Sequence, residues 1–405
     1  MSIPYLITFK PYGRFYFGSP QSFGEGFYAI SSKFPTQTTI LGTLRATILQ
    51  QNDLLDLEKR KPKLDAINNI PDKVKQLTGT SKITDLFGED DNLGKILKIS
   101  PVFIVRQGKG SECVEDFLLP VPSDVIFDYD EVEKEKDGTP KINGLKLLDF
   151  KEQKIDGIKV YSRNKTLEKL FSLEKRTKDY TADYLGGIKF WQSYSNCKSS
   201  QDKLDYHFTY LTKNIFLSDA QPGIAREERK TREEHFYTKN DFRLADEYSF
   251  GVIVHFGEEN IIQDCDVIMG GEKSLFRLTA KKINTSGYFY SEHPIIKRFL
   301  NKNDFGDFDG SSEMTYSNCK LVAISPFISQ ESEFDGIDYA IINEIYVHRN
   351  IVMDNDKREK SNSYSAIPYG SVFFVNGKLS LINKIVSKLL KKIGYNFLIK
   401  FNRGV

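Results

Sequence analysis

The chain has 405 residues, of which 28% are charged and 40% hydrophobic, with a formal net charge of +2. That length is too great for one comfortable core and suits two domains; the composition excludes a disordered protein. So small a net charge excludes a global polycation, and any affinity for nucleic acid has to come from a local patch.

Tyr5-Leu-Ile-Thr-Phe-Lys-Pro opens the chain as a run of strand formers, followed by a Gly- and Ser-rich loop from Gly18 to Gly26. The first helix is predicted next, because Ile40, Leu41, Leu44 and Ile48 recur at helical spacing behind a threonine able to cap the first turn. Residues 51–100 and 128–180 turn polar and charged and read as insertions. Between them, the runs starting at Pro101 and Phe117 read as short strands, the second held at a sheet edge by its two prolines.

Near the C-terminus, Gly370 to Val375 reads as a strand and Leu379 to Ile393 as an amphipathic helix. Gly394 falls at the C′ position, and Tyr395 to Phe401 reads as a last strand. A strand and helix at one end, and a strand, helix and strand at the other, predict an α+β protein of two ferredoxin-like (RRM-type, βαββαβ) domains with charged insertions. The boundary is expected at 215/216: residues 1–215, carrying the insertions near 51–100 and 128–180, and residues 216–405.

The five histidines, His207, His235, His255, His293 and His348, form neither HExxH nor another metal spacing, and Cys113, Cys197, Cys265 and Cys319 contain no CxxC pair. Nucleotide-binding and nucleophile motifs are missing too. The expectation is a chain without catalysis, metal or cofactor. No run approaches the ~18 apolar residues of a membrane span, and residues 1–30 lack a basic stretch followed by an apolar one, so a cytoplasmic protein is expected.

Basic residues gather in three places. Residues 224–243 carry six Lys or Arg, namely Arg226, Arg229, Lys230, Arg232, Lys239 and Arg243, beside His235, Phe236 and Tyr237. Cations hold phosphates by charge and aromatic faces stack on exposed bases, which is how single-stranded RNA is bound; five acids in the same window also allow a salt-bridged loop. The last 45 residues hold seven Lys or Arg and no acid, with Lys384, Lys388, Lys391 and Lys392 on the helix, a field for a polyanion or an acidic partner. Arg45, set among apolar positions on the first helix, is either an ion pair that fixes packing or a phosphate ligand. Gly270 and Gly271 precede Glu272 and Lys273 in a turn whose backbone could approach a ligand.

Taken in order, these elements resemble the RAMP superfamily of CRISPR proteins, and within it the third subunits of the Cmr module, the type III-B effector complex. The similarity rests on Phe34-Pro through Gly42-Thr-Leu-Arg45, the proline-bounded run Phe117 to Pro122, Gly223-Ile-Ala-Arg226 with the arginines, threonine and aromatics that follow, Gly270-Gly-Glu-Lys273, and Gly370-Ser-Val-Phe-Phe. Lys273-Ser stands where that family would have an arginine. The resemblance implies a guide-RNA (crRNA) subunit that holds the 5′ handle beside a large cyclase-type subunit and neighbouring RAMP backbone subunits, meeting target RNA only indirectly. Carried onto this sequence, it places RNA contacts at Arg45, Arg226, Arg229, Lys230, Arg232, His235, Phe236, Tyr237 and Gly270 to Lys273; charge alone adds Lys239 and Arg243. Two other readings stand beside it. One is a RAMP endoribonuclease that processes precursor CRISPR RNA, with His207 or His235 as general base; the other is a scaffold that binds an acidic protein through its Lys-rich C-terminal helix.

Overall fold

The computed structural model describes residues 2–18, 28–56, 61–62, 70–108, 113–134, 140–147, 150–153, 160–162, 165–167, 170–173, 184–197, 204, 207–227, 230–270, 272–284, 290, 292–300, 315–329, 337–342, 346–348, 351–354, 357–360, 362–378 and 387–402. Their architecture is α+β, with antiparallel sheets and few helices.

The opening apolar run forms β1 (Ile3–Pro11). Tyr5, Ile7 and Phe9 enter one core cluster while Leu6 enters another, so the alternation of a strand puts two cores on its two faces. After β2 (Tyr28–Ile30) comes α1 (Gln37–Gln51), with Ile40, Leu41, Leu44 and Ile48 fully buried. The Thr36 hydroxyl caps it, accepting a hydrogen bond from the Thr39 amide at 3.2 Å. Thr36→Ala removes that acceptor and is expected to cost about 1 kcal/mol, read as a lower urea midpoint at unchanged m-value; an unmoved midpoint would mean that the cap contributes nothing.

The charged stretch 51–100 is only partly an insertion. It contains α2 (Ile70–Thr78) and β3 (Ile96–Ile99), and it sends Leu86, Leu93, Ile96 and Ile99 into the core beside α1. Periodic apolar residues are too sparse here to register as a helix or strand, yet single ones reach the interior. The stretch 128–180 instead forms short antiparallel ribbons, among them Val125–Lys134 with Pro140–Leu147 and Phe150–Gln153 with Leu170–Leu173.

The larger sheet adds β4 (Phe103–Gln107), β5 (Val114–Pro120), β6 (Tyr184–Gly186), β7 (Thr209–Leu211), β10 (Tyr248–Phe256), β11 (Cys265–Met269) and β12 (Ser274–Lys282). It runs β7-β6-β5-β4-β10-β1-β12-β11, with β3 also pairing β10. The run at Phe117 is therefore not an edge: β5 lies between β4 and β6, and Pro120 is tolerated because it is the last residue of the strand. At the centre, β12-β1-β10-β4 is antiparallel throughout, and numbering these four strands by their place in the chain gives the order 4-1-3-2.

The smaller sheet contains β13 (Thr315–Ala323), β14 (Ile337–Ile341), β15 (Val372–Lys378) and β16 (Leu398–Asn402), in the order β14-β15-β13-β16. Counted the same way from its other edge, β16-β13-β15-β14, it too reads 4-1-3-2 and is antiparallel. Between β15 and β16, α5 (Lys388–Lys392) ends in the predicted manner. Gly394 has φ +90°, its amide donates to the Lys391 carbonyl at 3.3 Å, and the Tyr395 amide donates to that of Leu390 at 2.9 Å, the paired bonds of a Schellman cap. The helix starts later than expected, at Lys388: Ser387 caps it, its hydroxyl accepting from the Leu389 and Leu390 amides at 3.1 and 3.4 Å, and residues 379–386 lie outside the described residues.

The expected boundary at 215/216 does not coincide with the sheets. β10 and β12 lie beyond residue 215 and both pair with β1, because neighbouring strands of a 4-1-3-2 sheet are far apart in sequence. The smaller sheet is drawn from residues 315–402. The two sheets face each other across a shared cluster: Leu6, Phe103, Phe117 and Ile253 from the larger, Val322, Phe374 and Ile399 from the smaller. Trp191 and Tyr194 of α3 (Ile188–Asn196) and Phe299 of α4 (Ile296–Leu300) join them.

Candidate nucleic-acid interface

The Arg-rich segment is a β-hairpin rather than a loop. β8 (Phe216–Glu227) pairs with β9 (Lys230–Leu244) from Phe216 opposite Leu244 out to Glu227 opposite Lys230, with a register shift between Ile224 and Arg226. Arg226 therefore lies on β8, and Lys230, Arg232, His235, Phe236, Tyr237, Lys239 and Arg243 on β9. Arg229 falls outside the described residues. Charge density hid the hairpin, since the alternation of apolar residues that marks a strand is absent from residues 226–235.

Three of the singled-out motifs meet at the base of this hairpin. β2, which follows the Gly-rich segment, runs parallel to β9 with Ala29 opposite Lys239; residues 19–27 of that segment lie outside the described residues. The Lys239 ammonium lies 3.1 Å from Asp241 and 3.6 Å from Glu272, and sits 4.6 Å from the centre of the Tyr16 ring. Gly270 closes the junction: at φ +81° it brings the turn so near the segment before the Gly-rich loop that a Cβ would lie 2.7 Å from the Tyr16 carbonyl oxygen. Lys273 also has positive φ and is exposed, as is Glu272, while Gly271 lies outside the described residues. Arg243 is exposed, opposite Leu217 in the register.

Arg45 is held elsewhere. Its guanidinium donates to the Ser81 carbonyl at 3.0 Å and to the Ser81 hydroxyl at 2.7 Å, tying α1 to the segment after α2. Burial lowers its pKa to about 10, with Asp90 acting in the opposite direction, so it stays charged at neutral pH. Lys392 on α5 is likewise engaged, 2.9 Å from the Asp91 carboxylate. Lys384 lies outside the described residues, and Lys388 is exposed.

Three of the five histidines are buried and bonded. The His255 Nε2 lies 2.7 Å from the Phe299 carbonyl, the His348 ring 3.2 Å from the Tyr395 hydroxyl, and the His293 Nε2 3.2 Å from the Phe117 carbonyl. Among the described residues no group of three or more His, Cys, Asp or Glu could hold a metal ion, and no helix is long and apolar enough to cross a membrane.

Sequence reasoning passed over the segment that links these motifs, Tyr12 to Gly18. Phe15 and Phe17 are buried in the aromatic cluster of Phe250 and Phe276, while Tyr12 and Arg14 stay exposed and Tyr16 partly so. The signal was a period of two in Tyr-x-Arg-Phe-Tyr-Phe, short enough to pass for the end of the first strand.

Fold and converging motifs define an α+β protein built on two antiparallel sheets of one strand order. The family model described as CRISPR-associated protein (Cas_Cmr3) matches residues 7–287, and the chain belongs to that family. No curated protein matches it. Among solved structures, it is similar to a chain of the type III-B Cmr-beta bound to cognate target RNA and AMPPnP. There the identity is 15% and the TM-score 0.43, over 98% of this chain and 96% of that one. A chain of the type III-B Cmr-beta bound to cognate target RNA aligns at 14% identity and TM-score 0.41, with the same coverage of both.

Proposed function

We propose that this chain is a non-catalytic, cytoplasmic, guide-RNA-binding subunit of a type III-B CRISPR effector complex. It holds the 5′ handle of the crRNA beside a large cyclase-type subunit and neighbouring RAMP backbone subunits, and target RNA meets those neighbours rather than this chain. The observation that carries the reading is the meeting of hairpin, glycine turn and β2 at one place in a member of the Cas_Cmr3 family. Both units read as ferredoxin-like (RRM-type), a view supported by the shared 4-1-3-2 order. Burial of His255, His293 and His348, each hydrogen-bonded, takes these three from contact with a substrate and leaves His207 and His235 as the histidines that the processing-enzyme reading needs. Arg45 stands apart from this junction, its guanidinium bonded to Ser81.

Co-expressed with its genomic neighbours and a CRISPR array and purified at moderate salt, the chain is expected to carry RNAs that share one repeat-derived 5′ end, intact after incubation. The Arg226→Ala, Lys230→Ala, Arg232→Ala triple variant is expected to bind this RNA roughly tenfold to a hundredfold more weakly. The dependence of log affinity on log salt should flatten by roughly 0.7 for each phosphate that is no longer neutralised. A folded chain that purifies without RNA would overturn the proposal, and cleavage of repeat RNA by the isolated chain would restore the processing-enzyme reading.

A further inference from the structure

We infer that Tyr12, Arg14 and Tyr16 form a second nucleic-acid contact, a short stacking track for unpaired bases that continues the hairpin interface along the rim of the larger sheet; the inference rests on the guide-RNA reading.

The track follows from the alternation of its segment. Phe15 and Phe17 are driven inward, with Phe15 bonded through its backbone to Phe242 of β9 in both directions, at 2.8 and 3.1 Å. Tyr12 and Arg14 are left exposed and Tyr16 partly so, two aromatic residues with an arginine between them in the sequence. Tyr12 is 60% exposed, which is unusual for so large a ring. Its orientation is nonetheless fixed: the hydroxyl donates to Asp266 at 2.8 Å, Arg277 donates to the same Asp266 oxygen at 3.2 Å, and the Tyr12 amide donates to the Leu275 carbonyl at 3.1 Å. A ring pinned at its tip with its body in solvent loses little entropy when a base stacks on it. Tyr16 is set in a similar way by the Lys239 ammonium at 4.6 Å from its ring centre, which joins the track to β9 and the glycine turn.

Ile268 and Leu275, directly paired on β11 and β12 and 45% and 46% exposed, lie beside Tyr12. Two aliphatic side chains and a tyrosine also suit a protein partner. Position favours RNA, because the track runs from this patch into the junction that the proposed interface occupies. The charges make a distinctive prediction. Arg14 is paired with Asp219 at 2.7 Å, Arg277 with Asp266 and Lys239 with Asp241, so the track gains affinity by stacking on a locally balanced surface.

The test uses the full chain and a fluorescein-labelled single-stranded oligouridylate, with double-stranded RNA as the control that offers no free bases. Tyr12→Ala is expected to weaken oligouridylate binding by roughly fivefold to a hundredfold, the range of one base-aromatic stack, without changing the salt dependence. Tyr12→Phe, which keeps the ring and loses the hydroxyl bond, is expected to restore most of the affinity. The hairpin triple variant, by contrast, flattens the salt dependence. If the triple variant loses RNA while Tyr12→Ala binds as the wild type does, the track is wrong and the guide-RNA reading survives. If Tyr12→Ala leaves RNA affinity intact but releases a neighbouring subunit from the complex, the patch is a protein interface and the inference falls. A wild-type chain that binds neither oligouridylate nor crRNA sinks the reading and the track together.

Discussion

Asp124→Ala is expected to destabilise the protein by about 3–5 kcal/mol, the cost of stranding a buried charge. Asp124 lies just after β5 and Lys320 lies in the middle of β13, and their side chains are 3% and 5% exposed with the carboxylate 2.7 Å from the ammonium. The Tyr194 hydroxyl of α3 donates to the same carboxylate, at 2.9 and 3.1 Å to its two oxygens, and the Lys320 ammonium lies 4.1 Å from the centre of the Tyr194 ring. Three groups from three parts of the chain thus satisfy one another where the sheets face. The pair by itself contributes little net stability, since desolvating two ions offsets most of their attraction, but removing one partner exposes the full penalty of the other. Burial and the carboxylate push the Tyr194 phenol well above its ordinary range, so it remains a donor throughout the accessible pH range. Urea denaturation checks the prediction: Asp124→Ala should lower the midpoint sharply, and Asp124→Leu combined with Lys320→Met should recover much of the loss. A double variant no more stable than the single would refute the assignment of the loss to a stranded charge.

The fate of individual sequence signals shows what local patterns encode. The cap at Thr36, the buried stripe of α1 and the Schellman glycine at Gly394 were legible because each depends on residues within one or two turns. The pairing of β1 with strands some 240 to 280 residues later, Leu6 with Ile253 and with Lys281, leaves no mark in any window of the sequence, and a boundary drawn at 215/216 from local patterns runs across the larger sheet. Leu86 and Leu93 were hidden in a charged stretch because an irregular segment buries single side chains without producing a period.

The interface was legible as composition and obscure as geometry. Six cations with interleaved aromatics marked the hairpin, but their even mixture with acids concealed the strands that carry them. Arg45 shows the reverse: a cation among apolar positions draws attention, but its guanidinium bonds to Ser81, a partner 36 residues away that no spacing rule selects. Tyr12 drew none, because exposure and a fixed hydroxyl are properties of the folded sheet; its partner Asp266 is 254 residues distant.

Between pH 7.5 and pH 5 the wild-type protein is expected to lose about 2 kcal/mol of stability through His293 alone, from a slope approaching 1.4 kcal/mol per pH unit below the unfolded pKa. His293 is fully buried, and its Nδ1 accepts from the Ile295 and Ile296 amides at 3.2 and 3.3 Å, which assigns the proton to Nε2 and the donated bond to the Phe117 carbonyl. A second proton on Nδ1 would face those two N–H groups in a buried site. Desolvation therefore lowers the pKa to about 3, a shift that the bond to Phe117 opposes only in part. The ring near Phe117 loses water but gains no compensating anion among the described residues. Because the folded pKa lies below the unfolded value of about 6.5, the unfolded state binds the extra proton first. The contribution is whole above pH 6.5 and drains away as the pH falls toward 3. His293→Asn retains an acceptor for the helix amides and cannot titrate, so it should be less stable at pH 7.5 yet lose less on acidification. Urea curves for both proteins at pH 7.5, 6.5 and 5 decide it: their stabilities should converge by about 2 kcal/mol, whereas a constant gap would mean that His293 is not the group that titrates.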